Sequence, residues 1–321
     1  MQNSMNGIQQ YVGNFTLSAK NADPANWEWK AEYKARWNLA ESHWQTFCET
    51  WYGVPESQPV DSKSPSLSLE PLPRRIDDSI SSTILVRNSY VEMFDTIWAR
   101  SIKTRGRHGV IVTGQSGTGK TLFNYYLLIR LLRLKQVVLF SPEGNQVYLF
   151  YHGEVYTNSM EALTAVSVDV PFPDPISSSN AFIWSLFDIQ EPDIFLVSHP
   201  CFPVQTTSPD PRRYSLWRKK QRPLLTGLPL WTRDELLQGL QYQVEYPELL
   251  DALHNLVYGR SSLNLRDPLK PYYGARAILE ERYGGKDIAP PSLEDAVDCL
   301  LDAVIDRFGY SARGVFGAVF D

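Results

Sequence analysis

A chain of 321 residues, 43% hydrophobic and 21% charged, is too apolar for a disordered polymer and could hold one large domain or about two of ordinary size. Its formal net charge of −5 argues against bulk affinity for nucleic acid. No apolar run approaches the roughly 18 residues of a membrane span, and the N-terminus MQNSMNGIQQ lacks the basic start and apolar core of a secretory signal.

Cys48, Cys201 and Cys299 are far apart and match no metal-ligand spacing, so they are expected to be reduced, in an intracellular compartment, cytoplasmic or nuclear. Residues 24–51, PANWEWKAEYKARWNLAESHWQTFCETW, read as a helix. Tyr33, Trp37, Ala40, Trp44, Phe47 and Trp51 recur along one face at steps of four and three residues. Such a stripe packs onto its own domain or offers a docking surface to a protein partner, and packing is the commoner fate. Prolines and serines without periodicity over 53–75 read as a linker. The expected division is an aromatic helical segment (1–52), a linker (53–81), an α/β core (82–228) and a helical lid (229–321).

Residues 82–103 read as a helix leading to the short strand GVIVTG. Next come Gly114, Gln115, Ser116, Gly117, Thr118, Gly119, Lys120 and Thr121. They fit the P-loop pattern of glycine, any four, glycine, lysine, serine or threonine. Glycine tolerates positive φ and close backbone approach, so the loop can wrap an anion, with its N–H groups and the following helix N-terminus aimed at phosphates. Lys120 would reach the β- and γ-phosphates and the Thr121 hydroxyl would hold Mg²⁺. A helix expected over 121–135 completes the strand, loop and helix that the motif requires and that an ordinary glycine-rich turn lacks.

A second core strand is expected at 136–141 and a hairpin at 145–157, turning at His-Gly. Residues 181–187 form a strand-like run that delivers Asp188 at its carboxyl end, where ligands of open α/β sheets bind. An acid there can hold Mg²⁺. Asp169, after LTAVSV, is the rival, and Asp188 is preferred because its run is longer and more apolar. Glu191 and Gln190 lie just beyond and could polarise an attacking water, although the spacing differs from the common adjacent Asp-Glu pair. Ser208, in TTSPD, could sense a γ-phosphate or simply open a Ser-Pro turn.

RRYSLWRKKQR, 212–222, holds six basic residues and no acidic one. Its arginines could offset transition-state charge on a transferred phosphate; with Tyr214 and Trp217 interleaved, the run could contact nucleic acid; or it could be a solvated loop. From 230 onward the chain reads mainly helical. Ser292 and Asp295 stand at capping-box spacing before a helix over 291–308, and Arg313 follows as either a lid arginine or a surface one.

ILVRNSY, VTGQSGTGKTLFNYYLLIRLL, VYLFYHGEVY, WSLFDIQEP, SPDPRRYSLWRKKQ, LWTRDELLQGL and YSARGVF, in this order over roughly 82–320, resemble fungal proteins of the Crinkler and retrotransposon-hot-spot type. Those look like P-loop NTPases related to the AAA+ and STAND ATPases. The resemblance implies an α/β fold with a parallel sheet flanked by helices and a mainly helical C-terminal lid. It implies triphosphate on Gly114 to Thr121, a Walker-B acid at Asp188 and a sensor-like Ser208. It further implies a phosphate-facing Arg212 or Arg213 and a second sensor at Arg313. The family often adds an N-terminal translocation header and a C-terminal effector domain, neither of which is evident in this sequence.

Three functions compete. One is Mg-dependent ATP hydrolysis driving a conformational switch, with ATP favoured over GTP because no N-K-x-D-like guanine-reading segment follows the loop. A second is a nucleotide-holding interaction module with little turnover. The third, a small-molecule kinase, has no acceptor pocket that the residues name.

Overall fold

A strand covered on both faces is apolar at successive positions rather than alternate ones, as VIVT, VLFS and IWSLF are. In the computed structural model these three segments lie in one sheet. The structure describes residues 27–55, 66–72, 82–142, 144–164, 172–175, 182–188, 194–197, 200–258, 273–283 and 291–320.

In chain order the first elements are β1 (Trp27–Glu28), α1 (Ala31–Lys34), β2 (Asn38–Leu39), α2 (Ser42–Trp51), β3 (Ser66–Ser68), β4 (Thr83–Leu85) and α3 (Asn88–Thr104). Next come β5 (Val110–Thr113), α4 (Lys120–Arg133), β6 (Val138–Ser141), β7 (Gln146–Tyr151), β8 (Glu154–Ser159), α5 (Met160–Thr164) and β9 (Asp174–Pro175). The α/β part continues with β10 (Ile183–Phe187), α6 (Ile194–Val197), β11 (Cys201–Thr206), a 3₁₀ turn (Pro211–Arg213), α7 (Ser215–Gln221) and β12 (Leu224–Gly227). Then follow α8 (Arg233–Leu240), α9 (Tyr246–Tyr258), α10 (Tyr273–Tyr283), α11 (Leu293–Phe308) and α12 (Ala312–Phe320).

Eight strands form the main sheet in the order β12-β5-β11-β10-β6-β7-β8-β2. The first five are parallel, and β7, β8 and β2 extend the sheet antiparallel. The chain leaves β5 for β6, returns through β10 and β11, then passes β5 to reach β12. That reversal opens a crevice at the carboxyl ends of β5, β11 and β10. Alternate side chains feed two cores: Val110, Val112, Phe140, Trp184 and Leu186 join α2, α3 and α4 on one face, while Ile111, Leu139, Ile183 and Phe187 meet Tyr214 and Trp217 on the other. Trp184 stacks on Trp98 with ring centroids 5.6 Å apart, a burial worth ~1.5–3 kcal/mol or more for so large a side chain. Helices α8–α12 surround a third core that reaches Leu85 and Trp231. The α/β class and helical C-terminal part thus follow the sequence, as does the capping box of Ser292 and Asp295 on α11. The hairpin turn at His152 and Gly153, with φ of 52° and 81°, also stands where expected.

The N-terminal region differs. The single helix expected over 24–51 is broken into β1, α1, β2 and α2. Its aromatic stripe serves both faces of the sheet: Trp27 and Trp37 enter one core, Trp44 and Phe47 the other. A chain that must cross the sheet edge between Trp37 and Trp44 cannot stay helical, and Asn38–Leu39 instead pairs antiparallel with β8. Trp44 then packs 4.3 Å from Tyr148 and 6.0 Å from Phe150. These aromatic rings are therefore inside the fold rather than on a docking surface. Residues 66–68, within the expected linker, form β3 and pair with β4. Of the helix expected over 82–103, the first residues form β4 and α3 begins only at Asn88.

Candidate functional site

The loop between β5 and α4 sits at the crevice. Gly117 and Gly119 have φ of 77° and 86°, a left-handed conformation that costs a residue with a Cβ. A Cβ would also overlap Ser311 Oγ at the first and the Tyr90 hydroxyl at the second. Gly119 forms the N-cap of α4, so Lys120 and Thr121 open that helix. The Lys120 Nζ turns back across the loop and donates to the Gly114 and Gln115 carbonyl oxygens, each at 2.8 Å.

Asp188 follows β10, with β11 between its strand and β5. Its N–H donates to the Ser141 carbonyl at 3.4 Å and its side chain shares the cleft with Thr121. Burial raises the Asp188 carboxyl above the usual carboxylate value, against the downward pull of Lys120, Arg213 and the Thr121 hydroxyl. Burial likewise lowers the Lys120 ammonium; Asp188 opposes this, while Arg313 and Arg213 add to it. Lys120 and Arg213 thus face the Asp188 carboxylate, and Arg313 stands near Lys120 in the same cleft, a concentration of positive charge suited to an anion.

These groups line a cleft of ≈ 650 Å³, together with Ser116, Gly117, Gly119 and Ser208. The cleft runs on to Thr83, Leu85, Trp231, Tyr242, Gln243 and Glu245. Gly114, Gln115 and Thr118 frame the loop without lining the cleft. At the carboxyl ends of β5 and β11, the buried hydroxyls of Thr113, Thr206 and Thr207 have no hydrogen-bond partner among the described residues. Buried polar groups usually find one in protein, water or ligand.

Of the two arginines left open by the sequence, Arg213 lines the cleft. Arg212 turns to solvent, its side chain 90% exposed, and pairs with Asp210 at 2.7 Å. Its backbone N–H donates to the same carboxylate, capping the 3₁₀ turn. With three residues per turn in a 3₁₀ segment, the adjacent Arg212 and Arg213 side chains project about 120° apart. Tyr214 and Trp217 are buried, so neither is free to stack on a base. Gln190, Glu191 and Asp169 lie outside the described residues. Arg313, near the start of α12, reaches the cleft.

Four residues join the site without having been singled out by sequence: Arg87, Tyr90, Trp231 and Ser311. Arg87 is 2% exposed and donates to the Thr118 carbonyl at 2.8 Å and the Leu230 carbonyl at 2.9 Å. Its guanidinium pairs with Glu235 at 3.0 Å and lies 4.6 Å from the Trp231 ring centroid. The Tyr90 hydroxyl donates to the Gly119 carbonyl at 2.7 Å. Ser311 Oγ donates to the Ser116 carbonyl at 3.0 Å and the Ala312 N–H to the Gly117 carbonyl at 3.2 Å. The glycine loop is therefore braced on one side by α3 and on the other by α12. The signal was an arginine in ILVRNSY, a stretch legible only as part of a longer resemblance.

Among the described residues no group of three or more His, Cys, Asp or Glu could hold a metal ion, and no helix is long and apolar enough to cross a membrane. No family model matches the sequence, and no solved structure matches it. The chain is 31% identical over 134 residues to Crinkler effector protein 15 and to Crinkler effector protein 16, both of Phytophthora infestans. Each alignment covers 39% of this chain and 19% of the relative, so the chain spans about a fifth of the length of the curated relatives it matches. This corrects the resemblance drawn from sequence: the relatives are oomycete rather than fungal, the likeness covers less than residues 82–320, and no family model ties it to retrotransposon-hot-spot NTPases.

Proposed function

We propose that the cleft binds Mg-ATP and that the chain is a P-loop nucleoside triphosphatase whose turnover switches the packing of its helical C-terminal part. The observation that carries the reading is the meeting of Lys120, Thr121 and Asp188 in one cleft at the carboxyl edge of a parallel sheet. The residues fit the group. The glycine loop has no room for a Cβ at Gly117 or Gly119, the buried Thr113 and Thr206 hydroxyls at the carboxyl ends of β5 and β11 have no partner among the described residues, and Lys120 and Arg213 face the Asp188 carboxylate.

Lys120 would exchange its two carbonyl partners for β- and γ-phosphate oxygens, a charge-assisted contact. Thr121 and Asp188 would hold Mg²⁺, which supplies charge neutralisation at those oxygens. Arg213 and Arg313 would offset charge developing as water adds to the γ-phosphorus and ADP leaves. Glu191, three residues past Asp188, is the carboxylate proposed to orient that water. Thr83, Leu85, Tyr242 and Gln243 also line the cleft and would be the side chains offered to ribose and base.

Calorimetric titration of Mg-ATP with steady-state phosphate release tests both halves. Lys120→Ala is expected to weaken binding tenfold or more, the loss of a charged contact worth about 1.5–3 kcal/mol. Equal ATP affinity in both proteins would remove the P-loop assignment. Normal affinity without phosphate release in the parent chain would leave a nucleotide-holding module.

A further inference from the structure

Seven of the 31 lysines and arginines stand in two short runs without an acidic residue: Lys103, Arg105 and Arg107, then Arg218, Lys219, Lys220 and Arg222. The fold brings these distant runs together. The first is the end of α3 and its loop into β5; the second is the end of α7 and its turn into β12. His108 Nδ1 lies 2.7 Å from the Gln221 carbonyl oxygen, and the Leu224 N–H donates to the Gly109 carbonyl at 3.1 Å. The backbone turns left-handed at Arg105, His108 and Arg222, with φ of 51°, 70° and 52°, a conformation uncommon for residues with a side chain.

All seven cations are exposed, and no ion pair among the described residues holds any of them. A chain with a net charge of −5 thus gathers a block of positive charge at the amino ends of β5 and β12. The glycine loop and Asp188 lie at the opposite, carboxyl edge of the sheet. Like charges collected on one face repel one another and attract a polyanion.

We propose that this surface binds the sugar–phosphate backbone of duplex nucleic acid without regard to base sequence. Phosphate contacts by lysine and arginine supply affinity and carry no sequence information. The aromatic residues of the basic run could have stacked on unpaired bases, but Tyr214 and Trp217, 5% and 4% exposed, are packed against the sheet. The same burial removes the aromatic anchor that an anionic membrane surface would engage, leaving Leu216 as the exposed large apolar side chain of α7. The surface is separate from the proposed nucleotide cleft, so this binding does not depend on ATP turnover.

Fluorescence anisotropy with short labelled DNA duplexes of two unrelated sequences, titrated across a salt series, tests the assignment on the full chain. Both duplexes are expected to bind alike, with log affinity falling steeply against log salt. Lys219→Glu with Lys220→Glu, and separately Arg105→Glu with Arg107→Glu, are expected to weaken binding by about tenfold or more and to flatten the slope by ~0.9 per lost contact. Lys30→Glu with Arg36→Glu, an equal charge change on another part of the chain, is expected to do much less. The proposal fails if the parent chain does not bind, or if the control pair weakens binding as much as the patch pairs. It also fails if the patch variants lose affinity for phosphatidylserine vesicles and keep it for duplex. Unchanged melting temperatures confirm that the variants compared are folded.

Discussion

The Arg87 guanidinium and the Glu235 carboxylate meet at 3.0 Å, with the arginine side chain wholly buried. The same Glu235 oxygen accepts the Thr232 N–H at 2.9 Å, closing the capping box of α8. Because the guanidinium also holds the Thr118 carbonyl, one side chain ties the glycine loop to the first helix of the C-terminal part.

Removing Arg87 leaves a carboxylate and several carbonyls without their donor, a loss typically worth about 3–5 kcal/mol for a buried pair. Arg87→Met is expected to lower the unfolding free energy extrapolated from urea by that amount, whereas Glu235→Gln, on the partner that is 19% exposed, costs less. A double-mutant cycle in urea measures the coupling; additive losses would show that the pair acts as two independent anchors.

Asp188→Asn is expected to leave ATP affinity within a few fold and to cut phosphate release by two orders of magnitude or more, because it removes the proposed metal ligand and leaves the proposed phosphate loop intact. Glu191→Gln is expected to act in the same direction. Single-turnover phosphate release at saturating ATP checks both. Full activity in Asp188→Asn, with loss in Asp169→Asn, would move the proposed metal ligand to Asp169.

Arg213 faces the cleft and Arg212 faces water. Arg213→Ala is therefore expected to reduce turnover tenfold or more, in line with loss of transition-state charge stabilisation. Arg212→Ala is expected to leave turnover unchanged. The same phosphate assay on the two single variants decides, and equal effects would count against the assigned orientations.

The three thiols are buried. Burial, with Glu49 adding to it, pushes Cys48 from the ordinary 9.0 up to about 12, and burial alone drives Cys201 upward as well. A raised acid is stabilising as the neutral thiol, so this contribution is whole below pH ~9 and fades as pH rises toward ~12. Thiol labelling of the folded chain at pH 8 should be slow and should accelerate on adding urea. Rapid labelling in the absence of denaturant would contradict the burial.

Local features were legible where local rules govern them. The strand, glycine loop and helix around Lys120, the His152-Gly153 turn and the Ser292 cap each depend on a few adjacent residues. The broken N-terminal region was not, because helical spacing of Trp37 and Trp44 looks the same whether the rings share one face or are divided between two. Arg212 and Arg213 could not be told apart until the turn after Pro211 was in place. Arg87 was missed because its partners, Thr118 and Leu230, are far off in sequence, and no spacing rule connects them.

The brace from Ser311 to the Ser116 carbonyl spans 195 positions of chain. A ribosome delivers the glycine loop long before it delivers the residues that steady it. Closing so long a span is entropically costly and comes late in folding. For much of its synthesis, then, the nascent polypeptide carries a loop held only on the α3 side, by Arg87 and Tyr90. The second side of the cleft is therefore in place only once α12 has emerged and docked.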